Sequence, residues 1–326
     1  MSIRHITIED ISKVNKMWNV SSYDGDFLYK KLDETQFFKK FYQSTSDYTI
    51  VTIVFFDEEQ LKGFASGVYE FGRDTAYITT VVVKKRYRNQ GIGKELITSL
   101  ENELKDLSSN IIKFDIIFLN PIHLEWIVPG TSSHDHPNAP GVDMSSFAYT
   151  FFKKCGYKEF AIQNSYYRDI RTYQFSDKTS SNIKKLEDSN IKIVYYDKKK
   201  HLGFDELFDD LNSESWRKEI LEVSRQEQDG DPILVVDIDG KIHGFTGPLR
   251  VQESLRGYFA GIGIHSNCRG FGVGGVLFSA LCKGLKNQGA EYMTLFTGEG
   301  NPARNIYEKE GFKIIKSWSN MRKELL

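Results

Sequence analysis

The chain has 326 residues, long for a single hydrophobic core, so two domains are expected. Its 43 Lys and Arg against 44 Asp and Glu give no global attraction for nucleic acid or an anionic membrane, so any anion must be gripped locally. The opening MSIRHITIEDISKV has no apolar h-region, so no signal peptide is expected, and no stretch reaches the roughly 18 apolar residues of a membrane span. Three cysteines (Cys155, Cys268, Cys282) without metal-type spacing suit a reduced, cytoplasmic protein.

In chain order, Tyr48 to Phe56 (YTIVTIVFF), Leu61 to Phe71 and Ala76 to Val83 read as strands. RNQGIG follows, and then a helical stripe of Ile92, Leu96, Ile97, Leu100 and Leu104. Ile111 to Leu119 is the next buried strand. Ser176 to Asn190 is polar and lacks β character, which suggests a linker carrying a short charged helix or a surface helix packed on either domain. The expected division is therefore 1–175, a linker over 176–190, and 191–326, with a strand at Ile191 to Tyr196 opening the second domain.

The second half repeats the order. Ile233 to Ile238, Lys241 to Val251 and Tyr258 to Ile264 read as strands, RGFGVGG follows, and Val276, Leu277, Ala280, Leu281 and Leu285 form the helical stripe before a strand at Tyr292 to Phe296. The two turns share the form Arg-x-x-Gly-x-Gly, with Arg88 and Arg269 lying 181 residues apart. Such a turn between strand and helix points free N–H groups and the helix dipole at an anion, and its glycines let the backbone approach a phosphate. A Walker loop needs Lys-Ser/Thr after its last glycine, and neither copy has one. A dinucleotide Gly-x-Gly-x-x-Gly is literally present at Gly270, Gly272 and Gly275, but Asn89 replaces the first glycine in the other copy and the flanks are not a first-strand βαβ unit.

The two turns, with Asn301-Pro302-Ala303-Arg304-Asn305-Ile306-Tyr307-Glu308-Lys309-Glu310-Gly311-Phe312 after the second, resemble the GCN5-related N-acetyltransferases (GNAT) over nearly the whole chain. The resemblance implies an α/β chain of two tandem GNAT domains, each a mostly antiparallel sheet whose splayed parallel pair holds coenzyme A. It implies an acetyl-CoA-dependent enzyme in which an amine attacks the thioester directly. Arg88, Asn89, Gln90, Gly91 and Gly93 in the first domain, and Arg269, Gly270, Gly272, Val273 and Gly274 in the second, map to the pyrophosphate turn. Backbone at a bulge in the preceding strand, Val82 and Val83 or Ile262, Gly263 and Ile264, maps to the thioester contact. Asn301 maps to the pantetheine arm and Tyr307 to the general acid for the leaving thiolate. In the first domain Gly156-Tyr157 aligns with Gly311-Phe312, which puts Phe152 where the acid should be and leaves Tyr149 one turn away. That domain is therefore expected to lack the motif tyrosine, with the second as the catalytic one.

Glu299, beyond the strand at Tyr292 to Phe296, is the expected base, weighed against a solvated turn carboxylate. His265 before the turn reads as structural. Gly91 to Gly156 spans 65 residues and Gly272 to Gly311 only 39, so the first domain carries an insert over about 121–146. Its Trp126, prolines and small residues suggest an ordered loop that closes over something or packs on the other domain. His134-x-His136 invites a metal reading that needs Asp135 or Asp143 as further ligands, and no metal is expected. The acidic run Phe204 to Asp210 could draw a cationic amine or form a solvated helix face.

The tandem plan, the Trp-x-x-Pro-Gly insert and the stretch Leu295 to Ala303 resemble bacterial glucosamine/glucosaminide N-acetyltransferases, which makes an amino sugar the expected acceptor. Another small amine, an aminoglycoside or a peptide amine is the alternative, and a non-catalytic acyl-CoA-binding sensor is the competing class. The expected partner is a small-molecule amine, with no nucleic acid or membrane, and the protein acts as a monomer or homodimer.

Overall fold

The computed structural model describes residues 2–23, 25, 27–226 and 230–325. They divide into two compact units: unit 1 is Met1–Ser165 with Lys316–Leu326, and unit 2 is Tyr166–Ile315. None of the described helices is long and apolar enough to cross a membrane.

Unit 1 begins with β1 (Ser2–His5), α1 (Ile11–Tyr23), α2 (Glu34–Phe41), β2 (Tyr48–Asp57), β3 (Gln60–Glu70) and β4 (Thr75–Val83). These four strands pair antiparallel in the order β1-β2-β3-β4. α3 (Ile92–Asp106) then returns the chain to β5 (Lys113–Ile116), which runs parallel to β4. The unbroken apolar run of β2 follows from burial on both faces. Val51, Ile53 and Phe55 pack with Leu96, Leu100 and Leu104 of α3, while Val54 and Phe56 pack with Val14, Trp18, Phe37 and Phe41 of α1 and α2.

The insert follows β5. It forms a two-residue hairpin of β6 (Trp126–Ile127) and β7 (Asp135–His136), then β8 (Val142–Asp143). After it come α4 (Phe147–Lys154) and β9 (Lys158–Asp169). The insert packs within its own unit, on residues 28–30. Ile127 N–H donates to Leu28 O, Lys30 N–H donates to Glu125 O, and the Lys30 ammonium reaches Glu125 and Asp135 at 2.8 Å each. Burial works against the charged Lys30, but the two carboxylates outweigh it and raise its pKa. Trp126 is fully buried, stacked on His136 and edge-on to Trp318. His136, one of the two histidines of the metal reading, turns its Nδ1 to Asn138 O at 2.7 Å and is part of the hairpin's packing.

Unit 2 continues with α5 (Asp177–Asp188), β10 (Lys192–Tyr195), α6 (Phe204–Leu211), α7 (Glu214–Ser224), β11 (Leu234–Ile238) and β12 (Lys241–Thr246). It then runs β13 (Arg256–Gly257), β14 (Ile262–Ile264), α8 (Val273–Asn287), β15 (Tyr292–Gly298) and α9 (Arg304–Lys309). The segment 176–190 is therefore not an open linker: α5 buries Leu186 in the unit 2 core. β10-β11-β12-β14 form an antiparallel sheet, with Leu234 and Val236 toward α8, and Val235 and Phe245 toward α6 and α7. The strand expected over 241–251 stops at Thr246, two residues before Pro248, which has no N–H for a ladder.

The final strand, β16 (Lys313–Glu324), returns to unit 1. Met321–Glu324 pairs antiparallel with Ile116–Lys113 of β5, and Trp318 and Ser319 pair with β8. Arg322 grips the buried Asp115 carboxylate with two bonds of 2.7 Å, and Lys323 reaches Glu101 at 2.6 Å. The division thus falls at two points in the chain, where the sequence suggested one.

Candidate active site

The repeat offset of 181 residues is kept residue for residue around the two turns. A 3-10 turn covers Lys85–Tyr87 in unit 1 and Ser266–Cys268 in unit 2. α3 and α8 each have 15 residues and start one residue after Gly91 and Gly272, which stand at φ 87° and 79°. Gly270 has φ 89° and its counterpart Asn89 has φ 61°. Asparagine is among the few residues that tolerate this left-handed conformation, so the non-glycine copy keeps the turn's shape. Neither helix has a capping side chain at its N-cap, which leaves the first-turn amides open: Ile92, Gly93 and Lys94 in α3, and Val273, Gly274 and Gly275 in α8. A Cβ on Gly270, Gly272 or Gly275 would meet nothing within 4 Å, so this face is clear for a ligand.

Both arginines are anchored alike. Arg88 Nε donates to Val83 O and Arg269 Nε to Ile264 O, each at 3.0 Å. Arg269 also lies 3.7 Å from Asp210, whose carboxylate accepts from the Ser266 N–H and hydroxyl and is thereby held below its usual pKa. Gln90 is exposed and donates to Arg86 O at 3.3 Å.

The strand before each turn leaves its parallel partner early. β4 pairs with β5 only through Thr75–Tyr77, then runs on beside β3 to Val83, with Thr79 bulged out between Ile78 and Thr80. β13 pairs with β15 only at Arg256 and Gly257, and β14 resumes as the edge of the other sheet. The strand expected over 258–264 is therefore split, with a break at 258–261. His265 N–H donates to His243 O. Alternation along an antiparallel strand then turns the Gly263 amide into the ladder and those of Ile262 and Ile264 out of it. Lys84 N–H donates to Lys62 O, so by the same rule Val82 faces the ladder and Val83 faces away. Gly263 instead gives room: a Cβ there would come within 2.4 Å of Leu211.

The helix after the gap packs on the glycine turn in both units. A Cβ on Gly274 would meet Ile306 at 3.3 Å, and one on Gly93 would meet Phe151 at 3.1 Å. The next residue is Tyr307 in unit 2 and Phe152 in unit 1, and each accepts through its carbonyl from the residue after the helix-ending glycine, Phe312 or Tyr157. Tyr307 is 5% exposed, with ring contacts to Phe278, Phe259 and Tyr166. Burial, with Tyr166 beside it, pushes its pKa up to about 12. Phe152 is equally buried but packs on Phe151 and Tyr157. Tyr149 is half-buried under the Lys153 ammonium.

Asn301 is exposed, and its Oδ1 accepts from Ala303 N–H at 3.0 Å, an Asx turn opening α9. Asn120 makes the same bond to Ile122 N–H. Glu299 is an exposed turn residue whose carbonyl holds Arg304. The acidic α6 is engaged within its unit, with Asp205 and Asp209 on Arg217 and Asp210 on the turn. Cys268 is buried, which raises its thiol pKa and makes it a poor nucleophile. Sequence reasoning missed Asp210 as the turn's brace and the contact of Glu219 with Tyr258 at the strand break. Only the offset could have flagged the latter, by pairing Tyr258 with Tyr77.

An open helix N-terminus behind a left-handed turn and a splayed parallel pair are built twice in this chain, and unit 2 adds a buried phenol at Tyr307. The acetyltransferase (GNAT) family matches residues 17–120 and 201–312. The chain belongs to this family and is a GNAT-type acetyltransferase with two tandem domains. No curated protein matches the chain. Solved structures of low identity share the fold. The GCN5-related glucosamine N-acetyltransferase region of a fungal multi-domain GH3 β-N-acetylglucosaminidase aligns with 99% of the chain at TM-score 0.67 and 15% identity, and the chain spans 38% of that protein's length. A tandem GNAT protein from the clavulanic acid biosynthesis pathway aligns with 99% of the chain at TM-score 0.60 and 13% identity, with 98% of its own length covered. A GCN5-related N-acetyltransferase from Sphaerobacter thermophilus gives TM-score 0.63, 13% identity, and coverage of 99% and 95%.

Proposed function

We propose that unit 2 moves acetyl from acetyl-CoA to the primary amine of a small molecule, an amino sugar such as glucosamine or a glucosaminide, and that unit 1 binds coenzyme A without catalysing transfer. The observation that carries this reading is the pair Tyr307 and Phe152 at one position of two otherwise matching sites. With its pKa near 12, Tyr307 stays protonated at any working pH and has a proton to give a leaving thiolate. Phe152 has none.

The residues present fit acetyl-CoA. The open amides of Val273, Gly274 and Gly275, with Arg269, would take the pyrophosphate, and the outward amides of Ile262 and Ile264 would donate to the thioester oxygen as charge develops there. The same parts in unit 1 are Arg88, the amides of Ile92, Gly93 and Lys94, and the amide of Val83. Acetyl-CoA supplies the activated acyl group; the chain's own residues orient it and protonate the thiolate.

The amino-sugar acceptor is supported by the glucosaminide-type sequence pattern and by the fungal glucosamine N-acetyltransferase region among the similar folds. A reducing cytoplasmic setting goes with this reading, since Cys155, Cys268 and Cys282 are all free thiols. The test is thiol release from acetyl-CoA against glucosamine, chitosan fragments, an aminoglycoside and peptide amines. The reading expects the fastest turnover with an amino sugar. Faster turnover of a peptide amine would overturn the acceptor, and no turnover with any amine would favour an acyl-CoA sensor.

A further inference from the structure

The break between β13 and β14 is met from the other side by α7. Trp216 Nε1 donates to Ala260 O at 3.1 Å, and a Cβ on Gly261 would come within 2.5 Å of the indole. Three residues on, Glu219 Oε1 accepts from the Tyr258 hydroxyl at 2.7 Å. Residues three apart share a helix face, so α7 turns an indole and a carboxylate together onto the four-residue gap in the strand. That gap ends at Ile262, whose amide faces out of the ladder.

We infer that Glu219, oriented by Tyr258, is the group that takes the proton from the acceptor amine. This rests on the reading that unit 2 holds the acetyl thioester at the strand break. Glu219 is half-buried, and its carboxylate has no hydrogen-bond partner except Tyr258 among the described residues, which leaves it acceptor capacity for an ammonium. Glu299, the base expected from sequence, is exposed on a turn. Among the described residues the charges around the pair are few. Arg250 lies 5.4 Å from the centre of the Tyr258 ring and is paired with Asp231 at 2.5 Å. Arg256 is buried and bonded to Gln252 and Thr294, and Lys218 and Glu222 on α7 are exposed. Burial, then Glu219, pushes the Tyr258 pKa up to about 12, so the phenol remains the donor of this contact. The unit 1 counterpart, Tyr77, lies in the core beside α1 and α2 and is hydrogen-bonded to no carboxylate among the described residues.

The step balances as follows. The ammonium passes one proton to Glu219, and the freed lone pair forms the C–N bond at the thioester carbon. The C–S bond breaks with its electron pair on sulfur, which takes the Tyr307 proton. The second amine proton restores Tyr307, and Glu219 releases its own to solvent, leaving amide, free thiol and one proton.

The test compares wild type, Glu219→Gln and Tyr258→Phe in thiol release over pH 6–9.5, using the amine that turns over fastest, with acetyl-CoA affinity measured by calorimetry. Glu219→Gln is expected to lower kcat/KM for the amine about 100-fold at pH 7, a typical general-base contribution. The loss should shrink as pH approaches the amine's own pKa, where free amine replaces the base, and acetyl-CoA affinity should not change. Tyr258→Phe should lose about tenfold in kcat/KM for the amine while acetyl-CoA affinity stays unchanged and the pH profile keeps its wild-type shape, as a positioning residue would. A Glu219→Gln rate within threefold of wild type, or an equal loss at every pH together with weakened acetyl-CoA binding, would overturn the inference. Absence of turnover in wild type would instead remove the reading it rests on, and the inference with it.

Discussion

Unit 1 concentrates positive charge at its turn, with Lys84, Lys85, Arg86, Arg88 and Lys94 within eleven residues, and places Phe152 where an acid would stand. Unit 2 has Arg269 as the one Lys or Arg of residues 265–275, partly offset by Asp210, and keeps Tyr307. The two copies of one turn have thus been pulled in different directions. Unit 1 has the stronger field for an anion and no proton to deliver, while unit 2 has a modest field and a buried donor. On the proposed reading, binding a phosphate and completing a transfer are separable, because the turn and the helix after it are separate elements.

The largest expected effect tests the difference at Tyr307. Tyr307→Phe should lower kcat at least about 100-fold with acetyl-CoA affinity within about threefold, since a general acid contributes in the transition state. Wild-type kcat should show no alkaline loss from this group below about pH 11, because Tyr307 stays protonated up to its raised pKa near 12. An unchanged kcat in the variant would break the comparison. The converse change, Phe152→Tyr, should cost about 1–3 kcal/mol in denaturant unfolding, as it buries a hydroxyl among Phe151 and Tyr157.

The charge difference predicts a smaller effect. By calorimetry with acetyl-CoA, Arg269→Ala should weaken the unit 2 site about tenfold or more, the scale of one charge-assisted hydrogen bond. Arg88→Ala should weaken the unit 1 site less, because its cationic neighbours remain. Equal losses would show that the surrounding lysines do not reach the anion, and a single site in wild type would remove unit 1 from the reading. Smallest is the backbone term. Gly270→Ala, at φ 89°, should cost about 1–2 kcal/mol, whereas Asn89→Gly, at φ 61°, should be neutral or slightly stabilising. Thermal unfolding of both variants measures this.

The repeat was legible in the sequence because it rests on local signals: β-branched runs, helical stripes and paired glycine turns. β2 to β4 form within one residue of expectation. Tyr307 and Phe152 were found through their fixed distance from Gly311 and Gly156. What escaped was non-local. Nothing in Lys313–Glu324 says that it will pair with Lys113–Ile116, because strand pairing is chosen by the whole sheet. The break at 258–261 was hidden inside an apolar stretch that reads as one strand. The contact of Glu219 with Tyr258 joins residues 39 apart across a helix and a loop, so no spacing rule could reach it. The insert was expected to close over something or reach the other domain, and its lack of periodicity concealed the hairpin that ties it to Lys30.

The return of β16 to unit 1 fixes an order of events during synthesis. A ribosome making this chain completes residues 1–165 and then about 150 more before Lys316 emerges, which at roughly 5–20 residues per second is on the order of 10–30 s. For that interval β5 is an open edge, and the Asp115 carboxylate, which is 2% exposed in the finished fold, has no Arg322. An unpaired edge is a template for association with other chains. That edge closes only when Met321–Glu324 pairs with it, so the N-terminal unit is finished by the last residues of the sequence to be made.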